Sequence, residues 1–392
     1  MELASLPVMA ERKRLWTLLH DLRAERPMVY FETDFLAGYV GDEELLCQDA
    51  RNRVLEKSMR WKIRHAEEIG DDIVVEPCWR VCWQLTASDY GVPIPMTTDQ
   101  ESGGFAFEHP VHEPEDVGKL HPRSWSVDRE ATRAEVRRIE EIFGDILPVE
   151  LQGTAMIHSA LTQDLYKLIG NENLLLWVYD APDALHRAMA VLRDDRLAFF
   201  DWLDREGLVG LNCNSTVVAA GSPGFTTGLP QPDYAGRPRV RDVWTWMESQ
   251  ETSMLSPEMF GEFFLPYMAD VAKRFGLVYY GCCEPVHDRW DLIRQAIPNI
   301  RTVSISPWCD RRLMAEKVGQ SAVLSRKPSP PPMSGERPNW DLLEQDLDET
   351  LDATRGCNLE IIFRDVYQIF GDRPRLRRWV EMVRARIGGA MK

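Results

Sequence analysis

With 392 residues, the chain is long enough for two average domains or one large barrel, and 44% apolar with 28% charged content is ordinary for a globular protein. A formal charge of −16 argues against a nucleic-acid partner, which needs a basic footprint. No apolar run reaches the roughly 18 residues of a membrane span, and residues 1–14 lack an apolar signal core. A reducing, cytoplasmic setting is therefore expected, with the eight cysteines as thiols or metal ligands rather than disulfides.

Leu15, Leu18, Leu19 and Leu22 recur at helical spacing around Trp16 and predict a lead-in helix within residues 1–26. The helix ends at Arg26-Pro27, because a residue before proline disfavours the helical region. Residues 28–31 read as a first strand, followed by the acids Glu32 and Asp34. Residues 42–70 are helical in pattern. Residues 73–75 are strand-like and lead to Cys78, Trp79, Arg80 and Cys82. Cys78 and Cys82 stand four apart without a second pair, which makes a weak zinc signature. Trp79 is expected to line a pocket or to pack a core.

Residues 89–122 are rich in Gly, Pro and His and read as a long excursion, in which His109 and His112 are more simply solvated than metal-bound. A helix over 127–143 and a strand over 147–151 follow, ending in Gln152-Gly153-Thr154. The next helix, 155–169, carries His158 in its first turn, where free N–H groups would face a substrate. Pro182 and Asp183 open another helix that reaches Gly207. A strand over 208–211 ends in polar residues, and 243–247 runs into Glu248, Ser249, Gln250 and Glu251. Ser256-Pro257-Glu258 is a strong helix start, and that helix is expected to reach Phe275.

The stretch 276–288 carries the densest chemistry. Its apolar run ends at Gly281, and Cys282, Cys283, Glu284, His287 and Asp288 follow at once. Polar groups at the carboxyl end of a buried strand are where α/β folds place their sites. Thiolates suit a soft or borderline metal, with imidazole and carboxylate completing its shell; two inert cysteines on a loop are the bland alternative. Further strands over 302–305, 322–325 and 359–363 end in Cys309, in Arg326 and Lys327, and in Arg364, Asp365 and Tyr367. Strand, polar cluster and helix alternate about eight times, the pattern of βα units. Closure into a (β/α)8 barrel, one domain over residues 1–392 with long loops over its mouth, is the expected fold; an open doubly wound sheet is second. Neither a dinucleotide fingerprint nor a P-loop occurs.

From Leu151 onward the chain resembles the uroporphyrinogen decarboxylase superfamily, which includes zinc-dependent, corrinoid-linked methyltransferases. The resemblance rests on Gln152-Gly153-Thr154 with its helix, on Tyr179 to His186, on the block from Glu248 through Leu255-Ser256-Pro257 to Pro266, and on Tyr280 to Cys283 followed by Val303 to Ser306. It implies a (β/α)8 barrel. In the methyltransferase branch a His-x-Cys pair and a later Cys hold zinc. Cys283 matches the family Cys, whereas Gly281 stands at the family His and the later Cys falls near Asp365. Cys282, Glu284, His287 or Glu248 would then complete the shell. The arginine-rich stretch of true uroporphyrinogen decarboxylases is replaced by Met28 to Asp34, whose acids would repel a polycarboxylate.

The resemblance implies a subunit that moves a methyl group from a methoxy-aromatic or methylamine-like donor to a corrinoid protein. Zn2+ would be held by Cys283, Cys282, Glu284 and His287, with Glu248 and Asp365 in catalysis. Trp79, His158, Arg326, Lys327 and Tyr367 are the substrate-contact candidates, and a homodimer is an open assembly. No cobalamin-binding Asp-x-His-x-x-Gly motif occurs, so the corrinoid would arrive on another chain. Two alternatives stand beside this. One is a metal-independent lyase in which Arg80, Arg326 and Lys327 anchor a carboxylate and Asp365 moves the proton. The other is a catalytically silent ligand-binding barrel.

Overall fold

A computed structural model describes residues 1–98, 104–153 and 157–390. The chain divides into two compact units, Met1–Cys78 with Asn214–Thr227 and Thr302–Lys392, and Trp79–Cys213 with Gly228–Arg301. Both are built from parallel strands and helices, so the α/β class stands.

In the first unit, Met28–Phe31 pairs with Asn358–Phe363, and that strand pairs in turn with Val323–Arg326, all in parallel. Thr302 to Ile305 continues the ladder beside Val323–Arg326. Every residue of these strands is buried, apart from the half-buried Arg301 at the start of Ile300–Ile305. Covering both faces is the reason Met28–Phe31 reads as an unbroken apolar run, while the other strands bury polar groups such as Ser304, Ser325 and Glu360 as well. The helix Pro7–His20 adds Leu15, Trp16 and Leu19 to a core with Met28, Tyr30, Phe225, Val323 and Ile362. Each such side chain contributes about 1.5–3 kcal/mol on leaving water.

The strand expected over 73–75 does not form. Instead the preceding acids occupy the edge of Met28–Phe31: Asp72 accepts from the Val29 amide at 2.9 Å and Asp71 from the Phe31 amide at 2.9 Å. The charge on Asp72 is matched by Arg26, through two bonds of 2.8 and 2.9 Å, and by Arg384 at 2.9 Å. Side-chain oxygens have replaced the carbonyls of a neighbouring strand, which satisfies the edge amides without a ladder.

In the second unit, Trp244–Met247 pairs in parallel with Leu277–Tyr280, and Trp79–Cys82 with Val149–Gln152. The expected strand over 208–211 is irregular. Its Gly210 lies backbone to backbone with Gly153, where a Cβ would stand 2.0 Å from the Gly210 nitrogen. Beyond it, the Asn212 amide group both donates to the Trp244 carbonyl and accepts from the Trp244 amide. As in the first unit, a side chain supplies the missing ladder bonds.

Helices start where caps were legible. Ser256 accepts from Met259 and Pro257 stands at the first helical position. The helix breaks at Phe264 into Pro257–Phe263 and Leu265–Ala272, because Pro266 has no amide to donate. Leu161–Asp180 is kinked at Gly170, whose φ is 77°. The excursion 89–122 contains the strands Met96–Thr98 and Phe105–Phe107 and a 3-10 turn at Pro114–Lys119; Gly103 lies outside the described residues.

Candidate active site

Two parallel strands of the second unit deliver the chemistry. Glu248 follows Trp244–Met247 directly, and Gly281 to Glu284 follow Leu277–Tyr280. Gly281 has φ 96° and turns the chain sharply at the strand end. Glu284 then folds back: its Oε1 accepts from the Ser249 amide at 2.9 Å and its Oε2 from the Cys282 amide at 2.9 Å. Ser249 also meets the buried Tyr280 hydroxyl at 2.9 Å. Arg289, buried as well, donates to Thr252 Oγ1 at 3.0 Å and to the Thr252 carbonyl at 2.6 Å, which holds the turn after Ser249 in place.

His158 reaches this site differently from the sequence expectation. The helix begins at Leu161, and His158 lies before it on an extended segment; Thr154 and residues 155–156 fall outside the described residues. Trp246 donates to the Ile157 carbonyl at 2.8 Å and accepts from the Ser159 amide at 2.8 Å, so this segment runs as a bridge beside the strand. The pairing sets the His158 ring 4.5 Å from Trp246, tilted by 38°, and aims Nε2 at Glu248 Oε1, 3.4 Å away. Among the described residues neither atom has a hydrogen-bond partner, although both are buried. Glu248 Oε2 accepts from the Gln250 amide at 3.0 Å.

Burial sets the protonation states. It pushes Glu248 up to about 8, with the Glu251 charge adding to the rise. Glu284 is raised to about 7 by burial and then by Glu248. The two carboxyls titrate as a pair. Glu248 keeps the proton, because both oxygens of Glu284 accept backbone N–H groups while Glu248 Oε1 has no donor among the described residues. Burial and the nearby Arg196 charge lower His158 to about 4. At neutral pH the site thus holds an undissociated acid facing a neutral imidazole.

The metal shell implied by the resemblance does not fit these donors. Among the described residues no three His, Cys, Asp or Glu side chains converge on one point. Cys282 and Cys283 adjoin each other, but Glu284 spends both oxygens on backbone amides, and His287 sits half-buried in the following bend.

Other candidates have structural positions. Arg326 is buried and donates to Asp346 Oδ1 at 2.6 Å and to the Ser306 carbonyl at 3.0 Å, so its charge is not offered to a ligand. Lys327 is buried, with Nζ on the Ala220 carbonyl at 3.0 Å and on Ser325 Oγ at 2.6 Å. Trp79 packs edge-on to Phe143 at 5.7 Å, and Arg80 pairs with Glu150. In the first unit, Asp365 takes the left-handed φ of 61° after the strand Asn358–Phe363, with Arg364 Nε 3.5 Å from it and 3.2 Å from Glu32. Tyr367 is exposed beside Phe35. Tyr280 and Arg289 were not singled out by sequence, since a tyrosine inside an apolar run and an arginine before a helix carry no local signal.

The fold is shared with a known structure. Over 95% of its length the chain is similar to a solved methyltransferase from Methanosarcina mazei, covering 97% of that chain at 13% identity with a TM-score of 0.52. At that identity the likeness establishes fold alone. No family model and no curated relative matches the sequence.

Proposed function

We propose that the chain is a methyltransferase that moves a methyl group from a small methoxy-aromatic or methylamine-like compound to a corrinoid carried by a separate protein. The (β/α)8 architecture implied by the resemblance belongs to this reading, as do a cytoplasmic setting and the O-demethylase type. The observation that carries it is the protonated Glu248, set against a neutral His158 at a strand end; the fold likeness to a methyltransferase supports it.

Demethylating an ether leaves an oxygen that must receive a proton. As the acceptor's electron pair bonds to the methyl carbon, the carbon–oxygen bond breaks and its pair stays on oxygen. Glu248 Oε1 gives its proton to that oxygen and becomes a carboxylate. An acid whose pKa lies near the working pH is suited to this and typically contributes about 10²–10⁴-fold. His158 Nε2 orients the acid proton before transfer. Burial, and after it the Glu251 charge, keep Glu248 protonated, while Glu284 stays fixed behind it by two backbone bonds.

The test supplies purified protein with reduced cobalamin and either a methoxybenzoate or a methylamine. Methylcobalamin absorbance and the demethylated product are followed together. Their joint appearance, lost in Glu248→Gln, supports the reading. Carbon dioxide release from an unmethylated carboxylate, with no methyl transfer from either donor class, would transfer the site to a lyase.

A further inference from the structure

We infer that Cys282 and Cys283 form a vicinal-dithiol site that captures a trivalent arsenical through both sulfurs. In a strand, consecutive side chains point to opposite faces. Here the turn begun at Gly281, φ 96°, ends the alternation, and Glu284 Oε2 holds the Cys282 amide in the turned conformation. The two sulfurs consequently lie on the same side, 3.7 Å apart. Cys283 is exposed and Cys282 half-buried, so the pair is open to a reagent.

The spacing suits one soft atom shared by both. With sulfur bonds of about 2.3 Å and an angle between 90° and 110° at the centre, the sulfurs stand roughly 3.3–3.8 Å apart. Oxidation to a disulfide competes poorly. Neighbouring Cα atoms lie about 3.8 Å apart across a trans peptide, below the roughly 4.4–6.8 Å that an unstrained disulfide spans, so such a bridge is readily reduced. The dithiol persists and remains available as a chelate. A full protein metal shell is not on offer here, because no third His, Cys, Asp or Glu converges among the described residues. Arsenic(III) bearing one organic group needs only the two sulfurs. The arsenic–oxygen bond of R–As=O breaks and two arsenic–sulfur bonds form. Both thiol protons leave with the oxygen as water, and arsenic stays trivalent.

Phenylarsine oxide tests this on the full chain. Intact mass after desalting should show a single adduct that an excess of monothiol leaves in place and that 2,3-dimercaptopropanol removes. Cys283→Ser and Cys282→Ser should each lose the monothiol-resistant adduct, whereas Cys78→Ser and Cys357→Ser should keep it. Thermal melts of each variant establish that it is folded, and Cys283→Ala provides a second replacement of the exposed thiol. A wild-type adduct stripped by monothiol, or one that survives in both Cys282 and Cys283 variants, overturns the assignment.

Discussion

Glu248 Oε1 and His158 Nε2 face each other across 3.4 Å, with no hydrogen bond to any other group among the described residues. One is a carboxyl held protonated and the other an imidazole held neutral, both chiefly by burial. A buried polar pair left this way lacks the partners it would have in water, at a cost of about 1–3 kcal/mol for each group. A substrate oxygen beside the pair, within hydrogen-bond reach of both atoms, would supply those partners.

Replacing Glu248 by Gln keeps the shape and removes the transferable proton. Methyl transfer should fall by about 10²–10⁴-fold, with the melting temperature at neutral pH unchanged or raised. In the wild type the rate should decline as pH rises through the Glu248 value of about 8, as the acid form disappears. A Gln variant with wild-type kcat would remove Glu248 from the chemistry.

The same two groups shape stability against pH with opposite signs. Glu248 binds its proton more tightly folded than unfolded, so its contribution is present below about 4.5 and is lost as pH rises through about 8. His158 binds its proton less tightly folded, so stability is lost as pH falls from about 6.5 through about 4. The two contributions cancel between about 4.5 and 6.5, so from these groups urea midpoints taken from pH 4 to 9 should show a plateau there and fall at higher and at lower pH. Glu248→Gln should flatten the alkaline limb and His158→Gln the acid limb; unchanged limbs would contradict the assigned shifts.

Arg289→Met should loosen the site from behind. The arginine donates to Thr252 Oγ1 and to the Thr252 and Leu255 carbonyls; the Thr252 carbonyl keeps the Leu255 amide, whereas the Leu255 carbonyl loses the arginine, at about 1–3 kcal/mol. A lower urea midpoint is expected, together with slower methyl transfer, because the turn carrying Ser249 also positions Glu284. An unchanged midpoint would show that the guanidinium does not hold the turn.

Gly153→Ala should be severe and Gly118→Ala mild. A Cβ at Gly153 would stand 2.0 Å from the Gly210 nitrogen and 2.4 Å from the Leu208 carbonyl oxygen, both backbone atoms that cannot move aside alone. At Gly118 nothing lies within 4 Å. Soluble yield and thermal melts compare the two; equal melting temperatures would mean that the backbones around Gly153 part easily.

Much of the frame was legible because it depends on local chemistry. The buried runs Met28–Phe31, Leu277–Tyr280 and Asn358–Phe363 and the cap at Ser256 lie where residue type and spacing place them. The misplaced segments share one cause. Residues 73–75 and 208–211 are apolar enough for strands, but Asp71, Asp72 and Asn212 take the edge bonds first, and a side chain standing in for a ladder leaves no periodic trace. His158 was picked out as a pocket residue by its place after a strand, yet it arrives on an extended bridge rather than a helix turn.

The amino-acid order by itself determined which strands are buried, where helices start, and that thiols and acids gather at strand ends. Folding decided what those groups do. Arg326 looked free to hold a substrate and is committed to Asp346; Glu284 looked like a metal ligand and is committed to two backbone amides. Glu248 holds its proton only because burial, and after it the Glu251 charge, push its pKa up. Hydrogen bonding and desolvation depend on neighbours brought together from far along the chain, and those neighbours exist only in three dimensions.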